Sequence, residues 1–387
     1  MIQRRFSARR NLLLLSCLAL FAISAALITA AVFLVLALPE RRRSDSPPEA
    51  GEAEYRKFSS DSFDSFDTLV TFTAFARDET EFERYTKIVS DEMARLHRLF
   101  DIYHDYEGLA NIKTINDMAG VAPVAVDPSI ADLLEIMTDA YGYTGGAVNA
   151  ALGPVLSIWR DYREAAGDAE GGAVPSIGEL RAAAAHISPA DILIDRDRST
   201  VFLLHGGMRL DVGAAAKGYA AQKAAELVRM SGLRSGLINA GGNVVVIGRP
   251  LDGRETWNIG VHSPTAEGDM SKLTDVLRIT GGAVVTSGND QRYFTAGGRR
   301  YHHIIDPETL YPAENVKSVT VIHPDSAEAD VLSTAAFILP LEKARELIER
   351  RGAEAMWVKE DGEKQATPGY LRLSEYAGTQ DGQEEVR

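Results

Sequence analysis

The chain has 387 residues, 45% of them hydrophobic and 25% charged, and a formal net charge of −14. That length and composition suit one large globular domain or two smaller ones, and the acidic balance excludes general nucleic-acid affinity, which needs basic surface. A single cysteine, Cys17, excludes an internal disulfide and a cysteine-based zinc or iron–sulfur site.

In chain order, a basic segment (1–10) precedes an apolar run with no charged residue from Leu12 to Leu38. The run exceeds the roughly 20 residues that span a bilayer and the apolar core of a secretory signal, about 7–15 residues. It reads as an uncleaved membrane anchor over 11–39, with a long signal peptide as the weaker alternative. Arg4, Arg5, Arg9 and Arg10 precede it and Arg41, Arg42 and Arg43 follow. The slight excess before the run favours a cytoplasmic N-terminus, with the main domain outside the cytoplasm. Residues 40–60 are rich in charge, Pro and Ser and read as a polar linker. The domain is expected over 61–360, followed by a polar tail, 361–387.

Within the domain, Thr68 to Ala76 alternates like a strand. A helix follows, with Phe82, Tyr85, Ile88, Val89, Met93, Leu96 and Leu99 on one face. A second helix opens at Ser129, a candidate N-cap, and ends at Gly145-Gly146. "IGELRAAAAHI" is a third and Ala214 to Met230 a fourth. "SGLINAGGNVVVIG" predicts two strands around a Gly-Gly turn, and "WNIGVHSP", "DVLRITGGAVVTSG", "RYFTAGGRRYHHII" and "SVTVIHP" supply further strands. A last helical stretch from Ala329 contains Pro340, and "AMWVKEDG" reads as a closing strand. Strands that arrive late and as hairpins favour an α+β fold, a single domain with a largely antiparallel sheet flanked by helices.

Several stretches carry candidate chemistry. In "LDVGAAAKGYAAQKA", Lys217 sits in a helix's first turn, where a cation opposes the helix dipole. Either the small residues merely allow close packing and the lysine points to solvent, or an anion binds beside it. Asp330 and Thr334 are one helical turn apart, either as hard oxygen donors for a cation or as an N-cap and a buried helix residue. His302 and His303 precede the Asp306-Pro307 turn. Neighbours in a strand face opposite ways, so one of the two is expected in a pocket, as a general base or as a structural histidine. Thr286, Ser287 and Gly288 end a strand at a turn, and Gly241-Gly242 either approaches a ligand or makes a hairpin.

Taken in register, "FDTLVTF", "GGAVNAALGPVLSIWRDYR", "LDVGAAAKGYAAQKA", "LINAGGNVVVIG", "VVTSGNDQRYF", "HHIIDPETLYPA" and "ADVLSTAAFIL" resemble the FAD:protein FMN transferase (ApbE) family over about Phe66 to Arg350. The resemblance implies a T-fold-like catalytic domain that cleaves FAD and moves its FMN moiety to a Thr or Ser hydroxyl of an acceptor flavoprotein. AMP is released and Mg²⁺ is required. Its acceptors belong to extracytoplasmic or membrane redox systems. The family's metal ligands fall on Asp330, Thr334 and the backbone of Ala214. Lys217 falls near the diphosphate, and His303 on the candidate base, with Asp306 shaping or orienting its loop. Asn239, Gly241, Gly242, Thr286, Ser287, Gly288 and His302 fall on the flavin site. The chain departs from the family at Phe66-Asp67-Thr68, where Met-Gly-Thr is common, and at Leu310, where Gly is common. Two alternatives stand beside this reading: an FAD pyrophosphatase giving FMN and AMP, and a non-catalytic surface flavin-binding protein.

Overall fold

A computed structural model describes residues 55–167, 172–265 and 272–375. The expected anchor over 11–39 therefore lies outside the described residues. Among the described residues no helix is long and apolar enough to cross a membrane.

The chain opens with strands β1 (Arg56–Ser65) and β2 (Thr68–Ala76), then helices α1 (Glu79–Phe100) and α2 (Ile112–Asp117). The short β3 (Val124–Ala125) and helices α3 (Pro128–Tyr143), α4 (Gly153–Ala166) and α5 (Ile177–Ala183) follow. Next come β4 (Ile192–Asp195), β5 (Thr200–Leu203), α6 (Ala216–Met230), β6 (Gly236–Ala240) and β7 (Asn243–Ile247). Two hairpins and their neighbours are β8 (Trp257–His262), β9 (Leu273–Ile279), β10 (Gly282–Gly288), β11 (Tyr293–Ala296) and β12 (Arg299–His302). The chain ends with β13 (Ser318–His323), α7 (Ser326–Ile338), α8 (Leu341–Arg350), β14 (Glu354–Val358), β15 (Lys364–Ala366) and α9 (Pro368–Leu373).

The expected antiparallel sheet is present. Eight strands pair in the order β1-β2-β6-β7-β10-β13-β14-β15, every neighbour antiparallel. Its two faces follow from strand alternation. Val245 and Ile247 join the large core beneath α1, α6 and α7. Val244 and Val246 face the other way, toward the β8–β9 hairpin and Tyr370 of α9. A satellite core gathers Trp159, Phe294, Leu310 and their neighbours.

Four boundaries differ from the sequence expectation. The linker ends before residue 60, because Arg56 to Ser65 pairs along β2 as an edge strand, and an edge can be polar since only one side is covered. The folded part extends beyond residue 360, since β15 pairs with β14 and Tyr370 is fully buried. The cap of α3 is Asp127, whose side chain accepts from Ser129 N, with Pro128 in the first turn. The last helical stretch is two helices: α7 stops at Ile338 and α8 begins after Pro340, whose ring cannot continue a helix.

Candidate active site

The beginnings of α6 and α7 meet at one end of the sheet. They can meet because Gly218 has no side chain: a Cβ there would lie 2.6 Å from Asp330 Cβ and 3.0 Å from the Ser326 carbonyl carbon. The close approach lets Gly218 N–H, one of the unpaired amides of a helix start, donate to Asp330 Oδ2 at 2.8 Å. Burial raises the Asp330 carboxyl to about 6, against the pull of Lys217, the Gly218 amide and the Asn243 carboxamide. Lys217 is in turn lowered, first by burial, while Asp330 pulls it up and Arg292 pushes it down. The lysine is partly buried and feels the Asp330 carboxylate, with no ion pair between them among the described residues.

The Gly241-Gly242 turn joins β6 to β7 at the same end. Both glycines have positive φ, 59° and 95°, as a two-residue hairpin turn requires. Asn239 Oδ1 accepts from Gly242 N at 3.0 Å, and a Cβ on Gly241 would strike Thr68. The turn delivers Asn243, 1% exposed, beside Asp330. Its Nδ2 closes no hydrogen bond among the described residues. It faces the carboxylate closely enough to draw its pKa down without completing a bond.

Asn243 pairs with Val285, so Thr286, Ser287 and Gly288 extend past it over the same end. Thr286 Oγ1 lies 2.9 Å from Thr320 Oγ1 across the β10–β13 ladder. Ser287 Oγ lies 2.8 Å from Ser333 Oγ, which donates to the Asp330 carbonyl at 2.9 Å. Thr334, partly exposed, spends its hydroxyl on no such bond among the described residues. Ala214 is partly exposed in the turn before α6. The Gly218 amide, four residues on, is directed to Asp330 and not back to the Ala214 carbonyl.

These donors fit a hard divalent cation. They supply one buried carboxylate, one hydroxyl without a bond and one carbonyl, the sparse protein set that such a cation uses when a ligand's phosphates complete its shell. Among the described residues no three His, Cys, Asp or Glu side chains cluster as a self-sufficient metal site.

The histidines separate as strand geometry requires. His302 is buried, with Nε2–H donating to the Ala313 carbonyl at 2.7 Å and Nδ1 accepting from Ile304 N at 3.2 Å. Its ring edge meets Phe337. Both ring nitrogens are used within the protein, so His302, expected at the flavin site, has no free nitrogen to offer there. His303 faces the site, with Nδ1 3.3 Å from the Arg292 carbonyl. Its pKa is pushed down to about 3, first by burial, then by Arg292, His302, Lys217 and Arg163. Asp306 stays in its loop, where Oδ1 accepts from Glu308 N at 2.8 Å and its carbonyl from Leu310 N at 2.8 Å. It shapes the turn after His303 and makes no bond to the His303 ring.

Leu310 explains one departure from the family pattern. Its φ of 64° is the left-handed value that a glycine would adopt freely. The leucine is held there by burial in the satellite core and by Trp159 Nε1–H, which donates to its carbonyl at 2.8 Å.

Sequence reasoning did not single out Asn243, Asp211 or a group of arginines. Arg160 and Arg163 share a face of α4. Arg160 Nη1 donates to Tyr103 OH at 3.2 Å and stacks 4.8 Å over that ring. Arg163 is lowered by burial and by the charge of Arg292. Asp211, whose Oδ1 accepts from Gly213 N at 2.9 Å, is raised by burial and has Arg160 and Arg292 as its cationic neighbours. The signal available was the i, i+3 spacing of two arginines in "SIWRDYR".

A family model described as the ApbE family matches residues 66–357. The FAD:protein FMN transferase of Klebsiella pneumoniae is 35% identical over 298 residues, covering 74% of this chain and 90% of that protein. The one from Treponema pallidum is 36% identical over 274 residues, covering 67% and 74%. Among solved structures, the ApbE protein of Thermotoga maritima superposes with a TM-score of 0.73 at 29% identity, covering 82% of this chain and 99% of that one. Flavin transferase ApbE of Vibrio cholerae, at 21% identity, shares the fold with a TM-score of 0.70, covering 83% and 100%.

Proposed function

The chain belongs to the ApbE family, and from that premise we propose that it moves the FMN moiety of FAD to a threonine or serine hydroxyl of an acceptor flavoprotein, releasing AMP with the help of Mg²⁺. Family membership makes it a flavin-transferring enzyme. The acceptor hydroxyl, the leaving group and the metal are our reading.

The observation that carries it is the meeting of α6 and α7, where Gly218 N–H and Lys217 both address the buried Asp330. Such a site suits a diphosphate and the cation that accompanies it, because charge on a transferring phosphoryl group must be neutralised where water is scarce. Asp330, Thr334 and the Ala214 carbonyl would hold Mg²⁺, which as a Lewis acid neutralises developing charge on the phosphates. Lys217 binds the diphosphate. The turn at Asn239, Gly241 and Gly242 and the strand end at Thr286, Ser287 and Gly288 frame the flavin nucleotide. His303 takes the proton from the acceptor hydroxyl. That oxygen forms the new bond to the FMN phosphorus, the pyrophosphate P–O bond breaks, and AMP departs with the bonding pair.

A histidine near 3 is a weak base in the free protein. A bound diphosphate offsets the cations around it and raises its basicity toward the range the step needs. We further propose that the apolar run at 11–39 anchors the chain, placing the domain outside the cytoplasm with acceptors of membrane or extracytoplasmic redox systems.

The test is to incubate the protein with FAD, Mg²⁺ and an acceptor flavoprotein domain and to weigh the acceptor. A gain of one FMN, with one AMP released, is expected. AMP without acceptor labelling means a pyrophosphatase, and intact FAD means a binding protein; either result sinks the transferase reading. Protease protection of the domain on intact cells would refute the outside location.

A further inference from the structure

β1 is a ten-residue strand at one edge of the eight-stranded sheet, with no strand on its outer side among the described residues. A row of amides and carbonyls of that length is a template for another strand. The opposite edge, β15, has three residues. Edges are commonly guarded by shortness, bulges, proline or repelling charge. From Arg56 to Ser62, β1 pairs residue for residue with Ala76 to Val70, and the ladder shifts only past Ser62. That run contains no proline. Lys57, Ser59 and Asp61 share the face away from α1 and are exposed. The two charges are opposite in sign and symmetric about Ser59, the centre of the regular run. Lys57 has no ion pair or side-chain hydrogen bond among the described residues. The Asp61 carboxylate accepts from Thr71 Oγ1 at 2.7 Å and meets no cation there. On the other face Phe58 stacks on Phe82, ring centroids 5.3 Å apart, yet stays partly exposed. Ser60 beside it lines a cavity of about 210 Å³ with Thr86, Val89 and Ser90. Thr86 Oγ1 is buried without a hydrogen-bond partner among the described residues.

We propose that β1 pairs antiparallel with β1 of a second copy of this chain, about a two-fold axis at Ser59, joining the two sheets edge to edge. In that register Lys57 of each copy stands opposite Asp61 of the other, so one sequence supplies two ion pairs. No other register makes this match. On the face toward α1, Phe58 of each copy comes opposite Ser60 of the other, which lays an apolar ring beside the cavity. The two Phe58 rings become diagonal neighbours, within reach of each other across the joint. Main-chain bonds and the rings supply the hold, as in other strand additions, and the ion pairs select the register. The contact is isologous and uses the one long edge of each sheet, so it closes at two copies. It stands independently of the flavin-transfer reading.

The experiment uses the full-length protein in detergent and its Lys57→Glu and Asp61→Lys variants. Energy transfer between donor- and acceptor-labelled copies is followed over a dilution series. Alone, each variant sets like charges opposite each other twice and is expected to associate about tenfold more weakly than the parent. In a mixed pair the introduced glutamate faces the introduced lysine, and the retained Lys57 faces the retained Asp61. The mixture should therefore regain the parent's affinity, which variants that merely fold badly would not do. A monomeric parent, or a mixture no tighter than its components, overturns the proposal. So does equal association in every sample, the result if the copies meet through 11–39. Ser59→Cys in a Cys17→Ser background reads the register: mild oxidation should cross-link it as a dimer. Asp61→Cys should not cross-link, because only the residue on the axis faces itself. Equal cross-linking at both positions would refute the register. A monomeric parent whose Lys57→Glu variant labels an acceptor protein more slowly would give the edge to the acceptor and end the self-pairing reading.

Discussion

Gly218→Ala probes the joint on which the site is built. The added methyl would sit 2.6 Å from Asp330 Cβ and closer still to the Ser326 carbonyl oxygen, about 1 Å inside an ordinary carbon–carbon contact. The obstacle is another helix's backbone, so α6 and α7 must separate by roughly that distance. Overpacking of this kind costs about 1–3 kcal/mol. The shift stretches the 2.8 Å bond from Gly218 N to Asp330, and losing a hydrogen bond to a charged group costs about 1.5–3 kcal/mol more. Alanine recovers about 1 kcal/mol of helix propensity over glycine. The net loss is about 2–4 kcal/mol, or a Tm lower by roughly 5–15 °C at about 2–4 °C per kcal/mol. Differential scanning calorimetry reads the stability, and Mn²⁺ titration reads the cation affinity that depends on Asp330. A variant melting within about 2 °C of the parent, with unchanged Mn²⁺ affinity, would show that the helices have slack and that the joint is not what positions the carboxylate.

Other expectations follow from single groups. His303→Gln should keep FAD affinity within about twofold but slow acceptor labelling by about 10²–10⁴, the usual contribution of a positioned base; equal loss of binding would contradict the assignment. Asp330 titrates near 6 in the fold against an ordinary 3.8, so between those values the native state holds a proton the unfolded chain has lost. Its ionisation therefore costs stability as pH rises through that window, at most about 3 kcal/mol at about 1.4 kcal/mol per pH unit. Without metal, Asp330→Asn should be more stable than the parent at pH 8 and equal to it by pH 4, and equal denaturation midpoints at pH 8 would refute this. Phe66 and Asp67 hold φ of 57° and 50° in the β1–β2 turn, and Asp67→Gly should add about 0.5–1 kcal/mol by removing left-handed strain, measured by urea unfolding.

The strands and long helices were legible because burial leaves a period. Val244 to Ile247 alternates between two cores, and Phe82 to Leu99 lines one helix face. β1 was not legible, since a serine- and aspartate-rich edge strand buries too little to carry a pattern. The site was legible only in pieces. Lys217, Asp330 and Thr334 drew notice locally, but the bond from Gly218 to Asp330 spans 112 residues, and no local window contains it. Which histidine faces inward depends on how β12 pairs: His302 lies opposite Tyr293 and turns to the core, which leaves His303 to the site. Arg163 and Arg292 escaped because an arginine's lack of a partner is a property of space, not of spacing.

Lys217 at the start of α6 also bears on how an anionic ligand arrives. The molecule carries a net −14, so at a distance it repels a nucleotide that its own mouth attracts. At low salt the repulsive far field governs the encounter, and screening it should speed association. Once the Debye length falls to about 8–10 Å, near physiological ionic strength, added salt weakens mainly the short-range hold of Lys217. Stopped-flow association of FAD should therefore rise and then level with ionic strength, while dissociation quickens throughout. A protein with a uniformly acidic mouth would show only the first of these trends.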